Sequence, residues 1–197
     1  MLPAVGGFFI PYLSAMSITA LKEWDAQCRL LTSGALSVLV RKGGIVEPQG
    51  DFEVEHTSFL LYPTFLHQNP VELRPEFKDR LQVDAHPGRV RVPALAEVVA
   101  VHKVEDESRL AGVAGMQALT IEALNRRFAY RGKPWVHVLV LRVRPLVEPL
   151  VLPETEAMLG CVSWVPLGDL ELHAGDSVLP EAELQARAAA VAQVVGA

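Results

Sequence analysis

A chain of 197 residues, half of them hydrophobic, has material for one ordinary domain with its own core. Its mean hydropathy of +0.25 excludes a disordered chain, and its net charge of -5 excludes general attraction of the whole molecule to nucleic acid. Two cysteines far apart, Cys28 and Cys161, exclude a disulfide framework, and no apolar run approaches the roughly 18 residues that span a bilayer.

The first fifteen residues are apolar but broken by Pro3, Gly6, Gly7 and Pro11, and the first cation is Lys22. They lack the basic start of a signal peptide, so they are expected to be a tail or an over-called start, with one domain over 16–197 in a cytoplasmic protein. Residues 19–33 are expected to form a helix, with Leu21, Trp24, Cys28 and Leu31 on one face, Lys22, Glu23, Asp25 and Arg29 on the wet face, and Gly34 as its stop. A strand comes next at 35–41, then a loop at 45–57 rich in turn formers. Ser58 to Tyr62 reads as a buried strand, with Pro63 opening a short helix that carries His67. Pro75 opens another helical turn.

Asp84 to Arg91 reads as loop, Pro93 to Val104 as a valine-rich strand, and 108–129 as helix divided near Gly112 and Gly115. Trp135 to Arg144 is the clearest strand. Pro145, Pro149 and Pro153 confine the next pieces of chain to sheet edges. Gly160 to Leu167 reads as a last strand and Pro180 to Val195 as a closing helix. This order predicts an α/β domain in which helices pack on a mixed sheet.

Arg41-Lys42-Gly43-Gly44 sets two cations beside two residues without side chains, a pattern that admits a phosphate close to the backbone. It lacks the longer glycine pattern of a phosphate loop, and a tight turn with solvated charges explains it as well. Between Ala123 and Val147 there is no acid, yet Arg126, Arg127, Arg131, Lys133, Arg142 and Arg144 are present, interleaved with Tyr130 and Trp135. That asymmetry in an acidic chain marks a candidate phosphate-binding face with stacking aromatics.

Glu55, His56, Tyr62 and His67 are candidates for acid-base catalysis. If the strands flanking the 45–57 loop run antiparallel, Glu55 and His56 share one sheet end with Arg41 and Lys42. A salt-bridged surface cluster would look the same. The histidines do not have the spacing of a helical zinc site, so no metal ligand set is assigned. Glu76-Phe77-Lys78 has a Glu-x-Lys spacing found in nucleases, a match common by chance. Ser163, beside Cys161 and Trp164, has no glycine elbow.

Ala20-Leu21-Lys22-Glu23-Trp24, Arg41-Lys42-Gly43-Gly44-Ile45, Phe59-Leu60-Leu61-Tyr62-Pro63-Thr64 with His67-Gln68, Pro75-Glu76-Phe77 and Gly160-Cys161-Val162-Ser163-Trp164 stand together. With them the chain resembles a bacterial family catalogued as domain of unknown function 1802, over roughly residues 16 to 195. The resemblance implies no established activity, and it leaves any cofactor unknown. Some members are joined to a restriction-endonuclease-like domain, which implies an association with restriction-modification. The expected function is an accessory domain that binds nucleic acid or a phosphate-bearing ligand. The alternatives are a small metal-dependent hydrolase or nuclease, and a module that binds a protein partner without catalysis.

Overall fold

The computed structural model describes residues 17–42, 56–160 and 162–196. Residues 1–16, where the tail or over-called start is expected, lie outside them. Among the described residues six strands form one mixed sheet: β1 (Ser17–Trp24), β2 (Val38–Arg41), β3 (Ser58–Thr64), β4 (Arg89–Val104), β5 (Val136–Pro153) and β6 (Trp164–Asp169). Their order across the sheet is β2-β5-β4-β3-β1-β6. Only β1 and β3 pair in parallel; the other neighbours are antiparallel. Among the described residues five α-helices accompany the sheet: α1 (Asp25–Thr32), α2 (Leu110–Ala114), α3 (Ile121–Ala129), α4 (Glu156–Leu159) and α5 (Glu181–Val195). None of the described helices is long and apolar enough to cross a membrane.

Side chains alternate between the two sheet faces. Leu21, Phe59 and Leu61 join a core with residues of α1, α2, α3 and α5. Their neighbours Ala20, Leu60 and Tyr62 join a second core with Val90, Val92, Leu146 and Val165. β1 is therefore buried on both faces, as Ala20 and Leu21 are both fully inaccessible.

That double burial corrects the expected helix at 19–33. Residues 17–24 are strand, and the helix begins only at Asp25. A strand with two apolar faces shows no period-two alternation, and its apolar positions pass for a helical stripe. Pro63 likewise opens no helix: it lies inside β3, paired with Glu23. β4 starts at Arg89, inside the stretch that reads as loop. The three prolines of β5 fall where β2 no longer accompanies that strand, since β2 pairs only with residues 137–140. There β4 is its ladder partner, and on the other side β5 is met by residues 173–175, through the bridge of Leu146 with Ala174.

The sheet curls enough for its two edges to approach. Arg41, at the end of edge strand β2, donates from Nη2 to Ser163 Oγ at 3.1 Å, just before edge strand β6. Its Nη1 donates to the Lys22 carbonyl at 2.9 Å and to Glu23 Oε2 at 2.8 Å.

Candidate functional site

Several of the segments that the sequence singles out meet where the end of β2 contacts β1, α3 and the residues preceding β5 and β6. Arg41 lies at the seam between the sheet edges. Its guanidinium pairs with Glu23, and the two side chains keep only 13% and 5% of their surface. Glu23 also accepts from Gln27 Nε2 at 2.6 Å and from the Trp24 amide at 2.9 Å. A carboxylate so enclosed needs these donors, since burial penalises an unpaired charge.

His56 approaches the same corner: its ring stands edge-on to Trp164, with centroids 4.7 Å apart. β2 and β3 run in opposite directions but are separated in the sheet by β5 and β4. Arg41 and His56 thus converge on adjacent residues, Ser163 and Trp164, rather than across one ladder. Glu55, Gly43 and Gly44 lie outside the described residues.

Lys42 faces the end of α3. Its ammonium donates to the carbonyls of Phe128 at 2.8 Å and Trp135 at 2.7 Å, and to that of Lys133. It stands 4.5 Å from the centre of the Trp135 ring. Three carbonyls take the three ammonium donors, so Lys42 holds the α3–β5 connection and has no donor left for a phosphate. Burial, and then the neighbouring charge of Lys133, hold the Lys42 ammonium below its ordinary value.

The other cations of the acid-free segment divide into two groups. Arg126 pairs with Glu72 at 3.2 Å, while Arg142 pairs with Glu97 and Glu181 and Arg144 with Glu97. Arg127 lies over the Trp24 ring and donates to the Val40 carbonyl at 3.1 Å, and burial holds its guanidinium below the ordinary value. Acids from distant segments thus neutralise part of the face that the sequence shows as purely basic.

Arg131 and Lys133 remain, and neither makes an ion pair among the described residues. They flank a turn in which Arg131 (φ 58°) and Gly132 (φ 66°) are both left-handed. Such a backbone is uncommon for a residue with a side chain. The turn leaves Tyr130 54% exposed, with the Arg131 guanidinium 5.2 Å from its ring centre.

Positive charge is concentrated here. Lys103 stands 5.9 Å from the Trp135 ring centre, on the ring that Lys42 also approaches. His137 is buried behind them, and burial, with Lys103 and Lys42 in support, pushes its imidazole down to about 4. Glu105, paired with Lys103, is the acid that offsets the cluster.

Of the residues expected to act in acid-base chemistry, the three that are described, His56, Tyr62 and His67, are not gathered. Tyr62 is fully buried, and its hydroxyl donates to Glu154 Oε1 at 2.6 Å. Burial and that carboxylate push the phenol pKa up. His67 lies beyond the end of β3, exposed and at φ 62°. His56 lies before its start, so a strand of seven residues, on the order of 20 Å, separates the two histidines. Glu76 pairs with Arg74, and no three metal-ligating side chains converge among the described residues.

Sequence reasoning misses two structural residues. Glu23 reads as part of a wet helix face but accepts from three donors in the interior. Gln68 accepts from the Ala26 amide at 3.1 Å and so caps α1 from the far side of β3. Their place in the motifs Lys22-Glu23-Trp24 and His67-Gln68 is the signal that could have found them.

No curated protein matches the chain. Solved structures similar to it include the ASCH protein from Zymomonas mobilis, with 15% identity and a TM-score of 0.40 over 88% of this chain and 94% of that one. A serine-to-alanine mutant of that protein has 16% identity and a TM-score of 0.42 over 88% of this chain and 95% of that one. A tyrosine-to-phenylalanine mutant gives the same identity and score, over 98% of its own length. The family model described as domain of unknown function (DUF1802) matches residues 20–190, which span the sheet from β1 through most of α5. The chain belongs to that family.

Proposed function

We propose that the protein is a cytoplasmic accessory domain that binds single-stranded nucleic acid at the corner formed by Tyr130, Arg131, Lys133 and Trp135. The observation that carries this reading is a cluster of cations not matched by acids. Lys42 and Lys103 approach the Trp135 ring, Arg131 approaches the Tyr130 ring, and the charge of Lys133 acts on Lys42, with Glu105 as the paired acid. Cations supply backbone affinity, and an exposed aromatic offers a base a surface on which to stack without demanding a sequence. Tyr130 is such a ring, and its arginine neighbour can join the stack. A paired duplex would hide the base faces that Tyr130 can reach.

In this reading Lys42 is scaffold, and Arg131 and Lys133 make the phosphate contacts. The resemblance to relatives joined to endonuclease-like domains supports nucleic acid over a metabolite at this corner, in a role beside restriction-modification enzymes. The buried free thiol of Cys28 fits a reducing compartment.

The test is fluorescence anisotropy with labelled single- and double-stranded DNA and RNA at about 50 and about 200 mM salt. The expected result is single-strand binding that weakens with salt. An Arg131→Gln/Lys133→Gln variant should reduce the slope of log K against log salt by about 1.4, at about 0.7 per phosphate contact on a single strand. Equal slopes for variant and wild type, or no binding at the lower salt, would overturn the reading.

A further inference from the structure

A second site lies away from that corner. A cleft of about 930 Å³ opens between α1, the end of β3 and residues 79–91, with Glu154 and Leu159 on its far side. Its size lies within the about 300–1,000 Å³ of small-ligand pockets. We infer that this cleft binds a small anionic ligand of the nucleotide kind, an apolar ring system carrying phosphate, with Arg89 and Arg91 as the phosphate partners.

The charges lining the cleft are not equally available. Asp25 pairs with Arg29 at 2.6 Å and Asp79 with Arg80 at 3.6 Å. Asp84 accepts from the His86 amide at 2.8 Å, and Glu154 accepts from the buried Tyr62 hydroxyl at 2.6 Å. Each acid of the cleft thus already faces a donor from the protein. Arg89 and Arg91 make no ion pair and no side-chain hydrogen bond among the described residues, and both are exposed. With Lys22, Arg29, Arg80, Arg89 and Arg91 set against Asp25, Asp79, Asp84 and Glu154, the cleft lining is positive by one charge.

The register of β4 aims these two arginines together. Val90 and Val92 turn into the second core, so Arg89 and Arg91 share the opposite face of the strand. Two residues along a strand separate their Cα atoms by about 7 Å, and guanidiniums at that spacing can fold onto one phosphate chain, each offering a planar fork. Apolar side chains also line the cleft: Phe65 and Leu66 from the residues after β3, Val83, and Leu159 from α4. Leu66 and Val83 are 53% and 90% exposed. Apolar side chains and unpaired cations lining one cleft match a ring joined to phosphate better than they match inorganic phosphate alone.

Isothermal titration calorimetry of the full chain with AMP, ADP, ATP, GTP and pyrophosphate tests this. At least one nucleotide should bind, and more tightly than pyrophosphate. Arg89→Ala and Arg91→Ala should each weaken it about tenfold, the loss of one charge-assisted contact. Both arginines are exposed and unpaired, so unchanged melting temperatures should accompany the loss. The Arg131→Gln/Lys133→Gln variant should bind the nucleotide as the wild type does. No heat with any probe at millimolar concentration, or pyrophosphate binding as well as every nucleotide, would overturn the inference. So would loss of oligonucleotide binding on removing Arg89 or Arg91, which would make the cleft part of the nucleic-acid surface. Failure of the Tyr130 corner to bind oligonucleotides leaves this result independent.

Discussion

Arg41 and Glu23 form an ion pair with little access to water, and each is also hydrogen-bonded to protein groups. Removing one partner of such a pair leaves the other charge buried and uncompensated, at a cost of about 3–5 kcal/mol. Arg41→Met should therefore lower the unfolding free energy by that amount, read from urea denaturation. A Glu23→Gln/Arg41→Met double variant should recover part of the loss, because the stranded charge is gone. Lys42 illustrates the same logic at a neutral partner. Its three carbonyl bonds tie β2 to the α3–β5 connection, so replacing it tests the scaffold before it tests any ligand. The exposed pair Arg131 and Lys133 makes the cleaner binding test.

At the scale of elements, α2 and α5 pack closely because Gly112 has no side chain. A Cβ built there would come within 2.8 Å of Val194 Cβ, a branch point that cannot swing aside. Gly112→Ala should destabilise the protein by about 1–3 kcal/mol despite the better helix propensity of alanine, measured as a lower denaturation midpoint at unchanged slope. Gly112 and Gly115 are legible as the interruption of the 108–129 helical pattern, and α2 and α3 are separate helices. The strand at Val136 and the helix at Glu181 are legible because their apolar runs are long and bounded by proline or acids. β1 is not, because burial on both faces erases the alternation that identifies a strand. In β4, Arg89-Val90-Arg91-Val92 does alternate, but it comes directly after a turn-rich stretch and merges with the loop. The candidate corner is legible as composition, an acid-free run with two aromatics. Which of its cations are spent on acids is not, because Glu72, Glu97 and Glu181 come from other parts of the chain.

The whole molecule carries a net charge of -5 yet gathers cations around Trp135, so its charge is divided by location rather than spread evenly. His137 lies under those cations, 3% exposed, with its imidazole at about 4. An unfolded histidine takes up its proton near pH ~6.5. Between those values the unfolded state binds more protons than the folded one, so global stability falls as pH falls through that interval. The drop should be on the order of 2–3 kcal/mol in unfolding free energy from about pH 7 to about pH 4. His137→Leu should flatten it, leaving the smaller slope expected from His102, whose imidazole burial also holds down.

The sheet order has a consequence in time as well as in space. β1 is the first strand of the sheet to be synthesised, and its antiparallel neighbour β6 is the last, with Ser17 opposite Asp169. One whole edge of β1 therefore stays open until β6, which follows all five other strands, has left the ribosome. An unpaired apolar edge of that kind is the surface on which a nascent chain aggregates, and late closure between distant segments makes folding slow. The Arg41 contact with Ser163 is the side-chain signal that this closure has occurred.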